Sequence, residues 1–151
     1  MKRLNQYINE KLKVSKKQYN YCPQTREELG DLLDQLLEER GLEADLNDID
    51  VSNITDMSGL FSFTEFNGDI SKWDVSNVTS MKVIFYWCKK FEGKGLENWN
   101  VSNVTNMYGM FYSCKKLDCD LSNWDVSNVT KYDNIFYRCP IKDEYKPKFK
   151  K

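Results

Sequence analysis

The sequence contains no histidine among its 151 residues. That absence removes the side chain that titrates near neutral pH, and with it Ser-His-Asp and Cys-His catalysis and every His-containing zinc site. Long apolar stretches are missing too. The longest, Val83 to Cys88, is six residues, far short of a bilayer span. Met1-Lys2-Arg3 begins like the basic start of an export signal, but Asn5, Gln6, Asn9, Glu10 and Lys11 break up the apolar core that such a signal needs. No Cys-x-x-Cys pair occurs among the five cysteines, and the closest two, Cys114 and Cys119, have four residues between them. An odd number of thiols without a leader predicts a reduced, cytoplasmic protein with no metal site and no cofactor. Net charge is nearly absent as well. With 22 basic and 23 acidic side chains the total is −1 and the pI near 5.6, so nothing draws the whole chain to nucleic acid or to an anionic membrane.

What is present, at 40% hydrophobic and 14% aromatic residues, describes one folded domain. Its dominant feature is an internal repeat. The valines Val51, Val75, Val101 and Val126 recur at steps of 24, 26 and 25 residues, a period typical of stacked coils. The copies follow Leu/Ile-x-x-Trp-Asp/Asn-Val-Ser-Asn-Val/Ile-Thr-x-Met-x-x-Leu/Ile/Met-Phe, with Ile49 at the Trp position of copy one and Tyr132 at the Met position of copy four, and copies two to four continue with Tyr-x-Cys. The apolar spacing of Leu96, Trp99, Val101 and Val104 predicts a short strand. Val104, Met107, Met110, Phe111 and Cys114 then shift to a helical rhythm, which predicts a short helix or 3₁₀ turn with Thr105 as its N-cap.

A coil this small cannot bury its own apolar face, so the copies must stack, with strands roughly 4.8 Å apart and equivalent positions in ladders. The expected core is therefore Trp73, Trp99 and Trp124, Val75, Val101 and Val126, Met57, Met81 and Met107, and Phe61, Phe85, Phe111 and Phe136. The expected fold class is α/β, a leucine-rich-repeat-like solenoid of four short coils with an N-terminal helical cap. Residues 1–45 form the cap, 46–141 the coils and 142–151 a Lys-rich, frayed tail. Within the cap, Thr25 as N-cap, Glu28 as capping-box partner and Gly41 as stop enclose the stripe Leu29, Leu32, Leu33, Leu36, Leu37. A shorter helix is expected over 4–12 and an extended edge over 14–21.

The string Trp73-Asp74-Val75-Ser76-Asn77-Val78-Thr79, with its copies at Trp99 and Trp124, resembles the BspA-like leucine-rich-repeat proteins across about residues 46–139. The resemblance implies a repeat fold and the binding of other macromolecules, and many members of that family are bacterial surface adhesins.

Two sets of exposed positions are candidate binding surfaces. On the strand face, Asp50, Asp74, Asn100 and Asp125 form one polar row, Asp48, Lys72, Asn98 and Asn123 a second, and Ser52, Ser76, Ser102 and Ser127 a third. After each signature Phe come Tyr86-Trp87-Cys88-Lys89-Lys90, Tyr112-Ser113-Cys114-Lys115-Lys116 and Tyr137-Arg138-Cys139, which set aromatic and cationic rows side by side. Such rows suit a protein hot spot, or stacking and phosphate contact with RNA or DNA. The recurring Asn-x-Thr sequons are expected to satisfy turn backbone rather than carry glycans. Cys88, Cys114 and Cys139 share one repeat position and are expected to be buried. Paired carboxylates such as Asp50 and Asp74 lie on an open ladder without a cleft, so no catalytic residues are assigned. The leading expectation is a non-enzymatic module that binds another protein, an intracellular adaptor or inhibitor, including a bacterial or phage factor that blocks a host enzyme or defence complex. A surface adhesin and a nucleic-acid binder are the alternatives, and no membrane association is expected.

Overall fold

The structure is a computed structural model that describes residues 19–151. The short helix expected over 4–12 and the first part of the extended edge expected over 14–21 lie outside the described residues.

One α-helix is present among the described residues, α1 (Arg26–Arg40). Its boundaries follow the local chemistry. Thr25 is extended, at φ −127°, and its Oγ1 accepts the Glu28 amide at 3.1 Å, while Glu28 Oε2 reaches back to the Gln24 amide at 2.7 Å. Orphan donors of the first turn are thereby satisfied. At the other end Gly41, at φ +88°, donates its amide to the Leu37 carbonyl at 3.0 Å and turns the chain out of the helix. Leu29, Leu33 and Leu36 are buried against the core, and Leu32 and Leu37 are partly buried beside it. The helix covers one end of the repeats: Arg26 Nε donates to the Ser58 carbonyl at 2.7 Å.

The expected α/β leucine-rich-repeat-like solenoid is not what forms. Among the described residues there is no β-strand and no sheet, only isolated parallel bridges such as Asp56–Ser80, Ser80–Asn106 and Asn106–Lys131. The expected helix or 3₁₀ turn after Thr105 is absent as well, because residues 108–113 are a run of turns. Thr105 Oγ1 does not cap; it lies 3.2 Å from the Thr79 carbonyl and donates to it.

The reason is a backbone alternation that apolar spacing does not reveal. Gly59, Val83, Gly109 and Asn134 have positive φ (71°, 53°, 59° and 58°), and so do Phe63, Trp87, Ser113 and Arg138 (59°, 60°, 58° and 55°). Two left-handed residues four positions apart prevent both a helix and an extended strand. Between them, alternate amides serve different partners. Those of Met57, Gly59, Phe61 and Phe63 donate to the carbonyls of Ser80, Lys82, Ile84 and Tyr86 in the next repeat, while those of Leu60, Ser62 and Thr64 close turns within their own repeat. Repeats two and three continue the scheme, from Met81, Val83, Phe85 and Trp87 and from Met107, Gly109, Phe111 and Ser113. The backbone is thus paired at period two without β geometry.

The apolar ladders read from the sequence do make the core. Phe61, Phe85, Phe111 and Phe136 stack at 5.6, 5.6 and 5.7 Å between ring centroids, nearly parallel. Trp73, Trp99 and Trp124 are buried, and each indole donates to a carbonyl of the preceding repeat, Leu46, Ile70 and Leu96, at 2.9 to 3.1 Å. Phe66 and Phe91, which lie outside the repeat pattern, stack on Phe61 and Phe85 at 4.2 Å each. The C-terminal segment also departs from expectation. It is not frayed: Leu121 donates its amide to the Tyr145 carbonyl at 2.8 Å, Ile141 is buried, and Phe149 stacks on Tyr132 at 4.3 Å. Apolar side chains carried between the lysines give this segment something to bury.

Candidate functional site

The polar strand-face row has its acceptors engaged internally. Asp50, Asp74, Asn100 and Asp125 each accept the amide two residues ahead, from Ser52, Ser76, Ser102 and Ser127, at 3.0 to 3.1 Å. The Ser76 and Ser102 hydroxyls add second donors at 2.6 and 2.7 Å. These are Asx turns that fix the corner of each repeat. The Ser127 hydroxyl and amide hold the Asp125 carboxyl below the usual carboxylate range.

The second row does not form a continuous ladder of like groups. Asp48 is tied by Arg40 through two bonds of 2.9 and 3.0 Å and by Asn20 at 2.8 Å, and it titrates below its ordinary value mainly because of Arg40. Asn47 Oδ1 accepts the Lys72 amide at 2.8 Å, and the side chains of Lys72, Asn98 and Asn123 stand exposed. The sequon asparagines bind the stack together, with Asn77, Asn103 and Asn128 donating to Ser52, Ser76 and Ser102 carbonyls at 2.7 Å each.

The aromatic row is different in kind, because its surface is not consumed by turn backbone. Tyr86 stacks on Tyr112 at 4.6 Å and Tyr112 on Tyr137 at 4.8 Å. Phe63, 73% exposed, joins the row edge-on to Tyr86 at 5.5 Å and lies near-parallel to Trp87 at 6.4 Å. The spacing of the backbone ladder delivers this arrangement: amides of Phe63, Trp87 and Ser113 donate to the carbonyls of Tyr86, Tyr112 and Tyr137 at 2.8 Å each, so the side chains flanking those bonds are brought one repeat apart. Cations border the row. Lys89 Nζ lies 4.9 Å from the Trp87 ring and the Arg138 guanidinium 5.4 Å from the Tyr137 ring. Lys90 pairs with Glu65 at 3.0 Å in an exposed ion pair, and Lys115 projects into solvent. Phe63, Thr64, Glu65, Trp87 and Lys89 line a shallow recess of about 180 Å³ at one end of the row.

The structure thus brings together Tyr86, Trp87, Tyr112, Tyr137 and Lys89 and adds Phe63, which repeat alignment passes over. Copy one lacks the Tyr-x-Cys continuation, so Phe63 carries no motif; its position two residues after Phe61, equivalent to Trp87 after Phe85, is the signal that marks it.

Cys88 and Cys114 are buried in the core and Cys139 is partly buried at its end. Burial pushes the Cys88 thiol up to about 11 and that of the buried Cys119 to about 12, and it raises Cys114 and Cys139 as well. Neutral thiols of this kind are poor nucleophiles at physiological pH. Among the described residues, no three His, Cys, Asp or Glu side chains gather where they could hold a metal ion. Nor is any helix among them long and apolar enough to cross a membrane.

Residues 32–147 match the family described as "Mycoplasma protein of unknown function, DUF285". No curated protein and no solved structure matches the chain.

Proposed function

The chain belongs to this DUF285 family, and from that premise we propose that it is a non-enzymatic module that binds another protein through the row Phe63, Tyr86, Trp87, Tyr112 and Tyr137. The observation that carries the proposal is an aromatic row on a backbone fixed by hydrogen bonds between repeats, exposed at Phe63 (73%) and Tyr137 and half-buried at Tyr86, Trp87 and Tyr112. Aromatic side chains and arginine dominate protein-binding hot spots, and a row held in place loses little entropy on docking. Lys89, Lys115 and Arg138 along its border suit a partner whose rim is acidic. The likeness of the Trp-Asp-Val-Ser-Asn-Val-Thr repeat to BspA-like proteins points the same way, toward macromolecular binding. Adaptor or inhibitor inside a cell and adhesin outside it are versions of one binding activity that differ in location, and cell fractionation separates them.

Protein is favoured over nucleic acid by the rings themselves. Base stacking needs an open ring face, and Tyr86, Tyr112 and Tyr137 stack on one another at 4.6 and 4.8 Å, so the faces between them are already taken. The polar strand-face row is the weaker surface because its acceptors close Asx turns.

A photo-crosslinking residue placed at Phe63, with affinity capture by the unlabelled chain in parallel, tests the proposal. We expect a crosslinked protein partner whose capture falls about 30-fold in Phe63→Ala/Tyr112→Ala, the effect of losing roughly 2 kcal/mol of hot-spot contact. Undiminished capture by the double variant sinks the assignment of this surface.

A further inference from the structure

The scheme that joins one repeat to the next stops at repeat four with its bonding groups still presented. In repeats one to three, four alternate amides donate forward across the stack; their equivalents in repeat four are Tyr132, Asn134, Phe136 and Arg138, and none of these amides has a partner among the described residues. The Thr130 carbonyl is likewise unpaired among the described residues, although its equivalents at Thr55, Thr79 and Thr105 each accept from the following repeat. The C-terminal segment covers side chains here but makes no hydrogen bond to these groups among the described residues. Phe149 lies on the Tyr132 ring, Lys146 Nζ is 5.9 Å from the Phe136 ring, and Tyr145 meets Leu121, while Thr130, Asn134 and Arg138 stay exposed. The opposite end of the stack presents carbonyls instead of amides, and of the four equivalent ones, Asp56, Ser58, Leu60 and Ser62, only Ser58 has a donor among the described residues, Arg26 of α1.

We infer that residues 130–138 form a docking edge for an extended segment of another protein, running parallel to repeat four and supplying one amide followed by carbonyls on alternate residues. The edge continues the interface that already joins the repeats of this chain, so its geometry is established three times over within the molecule. Backbone groups left unpaired at such an edge gain hydrogen bonds from an added strand-like segment, as in peptide addition at sheet edges. A second copy of the chain is the competing occupant. End-to-end pairing of two such edges sets donors against donors, and head-to-tail pairing has to displace Arg26 from the Ser58 carbonyl; protection of the four amides that grows with chain concentration in the absence of peptide overturns the inference in favour of that copy. The inference concerns a different set of groups from the aromatic row and stands or falls separately from it.

The probe is a synthetic peptide with the sequence of residues 104–113, which in the chain presents the Thr105 amide and the carbonyls of Asn106, Tyr108, Met110 and Tyr112 to repeat two. Amide hydrogen exchange is read on the full chain, alone and with the peptide in millimolar excess. In the free chain the amides of Tyr132, Asn134, Phe136 and Arg138 should exchange far faster than those of Met107, Gly109, Phe111 and Ser113. The peptide should slow those four about tenfold, and a scrambled peptide should not. A Tyr86→Ala/Tyr112→Ala chain should keep this protection even where it loses the partner of the aromatic row. Free-chain protection equal to that of repeat three, or no slowing by the peptide, or equal slowing by the scrambled one, overturns the inference.

Discussion

Ser113 concentrates two local costs in one residue. Its φ of +58° places a side-chain-bearing residue in the left-handed region, and its buried hydroxyl is the one such side-chain polar atom without a hydrogen-bond partner among the described residues. Each carries a penalty of about 1 kcal/mol or more. Repeat equivalents Phe63, Trp87 and Arg138 share the backbone conformation but keep their side chains at least partly in solvent. Glycine removes both the Cβ and the orphan hydroxyl, so Ser113→Gly should raise stability by about 1 kcal/mol, less the extra chain entropy of the unfolded state. Urea unfolding measures it, and a lowered midpoint contradicts the account. At Gly95 the same reasoning runs the other way: with φ at +80° and Ser71 packed against its Cα, an added Cβ there has nowhere to go.

At the scale of the element, α1 is where sequence and structure agree most closely. Thr25, Glu28 and Gly41 act where their types predict, and the leucine stripe faces inward, because capping and amphipathic periodicity are local properties. Leu33, 1% exposed, joins helix to repeat stack. Leu33→Ala should cost about 3 kcal/mol, within the range for a buried leucine, and should lower the thermal midpoint of the whole chain rather than melt the helix alone. Far-UV circular dichroism followed beside tryptophan fluorescence checks this: coincident transitions are expected, and an early helical phase argues against a shared core. The repeats illustrate the opposite case. Leu96-x-x-Trp99-x-Val101 has the spacing of a strand, yet Leu96–Asn98 form a 3₁₀ helix entered from Gly95 at φ +80°, and further along the repeats residues as unlike as Val83, Gly109 and Asn134 take positive φ and give turns. Gly59, Gly109 and Asn134 are of types that favour this conformation, but Val83 and the equivalents Phe63, Trp87, Ser113 and Arg138 adopt it without any such preference, so it was only partly legible in the sequence.

For the whole molecule, the buried cysteines set a pH dependence. The thiols of Cys88 and Cys119 titrate near 11 and 12 when folded against an ordinary value of 9.0, because burial disfavours the thiolate. The folded state therefore holds more protons than the unfolded one between about pH 9 and 11, and stability falls as pH rises through that window. It is fully present below pH 9 and declines above it. Denaturant midpoints at pH 7, 9 and 10.5 should show a plateau followed by a drop, and Cys88→Ala/Cys119→Ala, though less stable at pH 7, should show a shallower drop. An identical slope in the double variant contradicts the assignment. The same burial leaves charge to the surface, where the near-zero total divides into carboxylates closing turns at one corner and cations bordering the aromatic row at another.

The sequence by itself determined the repeat, the ladders of Trp, Val, Met and Phe that fill the core, the capped helix, and the Tyr and Lys positions of the candidate surface. Each rests on periodicity or on a side chain acting within a few residues of itself. Only the tertiary structure decided that the coils are built from turns and not strands, that Phe63 completes the aromatic row, that the C-terminal segment folds back, and that repeat four ends on unpaired amides. All four depend on where one repeat's backbone meets the next, a relation between residues about 25 positions apart in which backbone hydrogen bonds, common to every residue type, do the selecting.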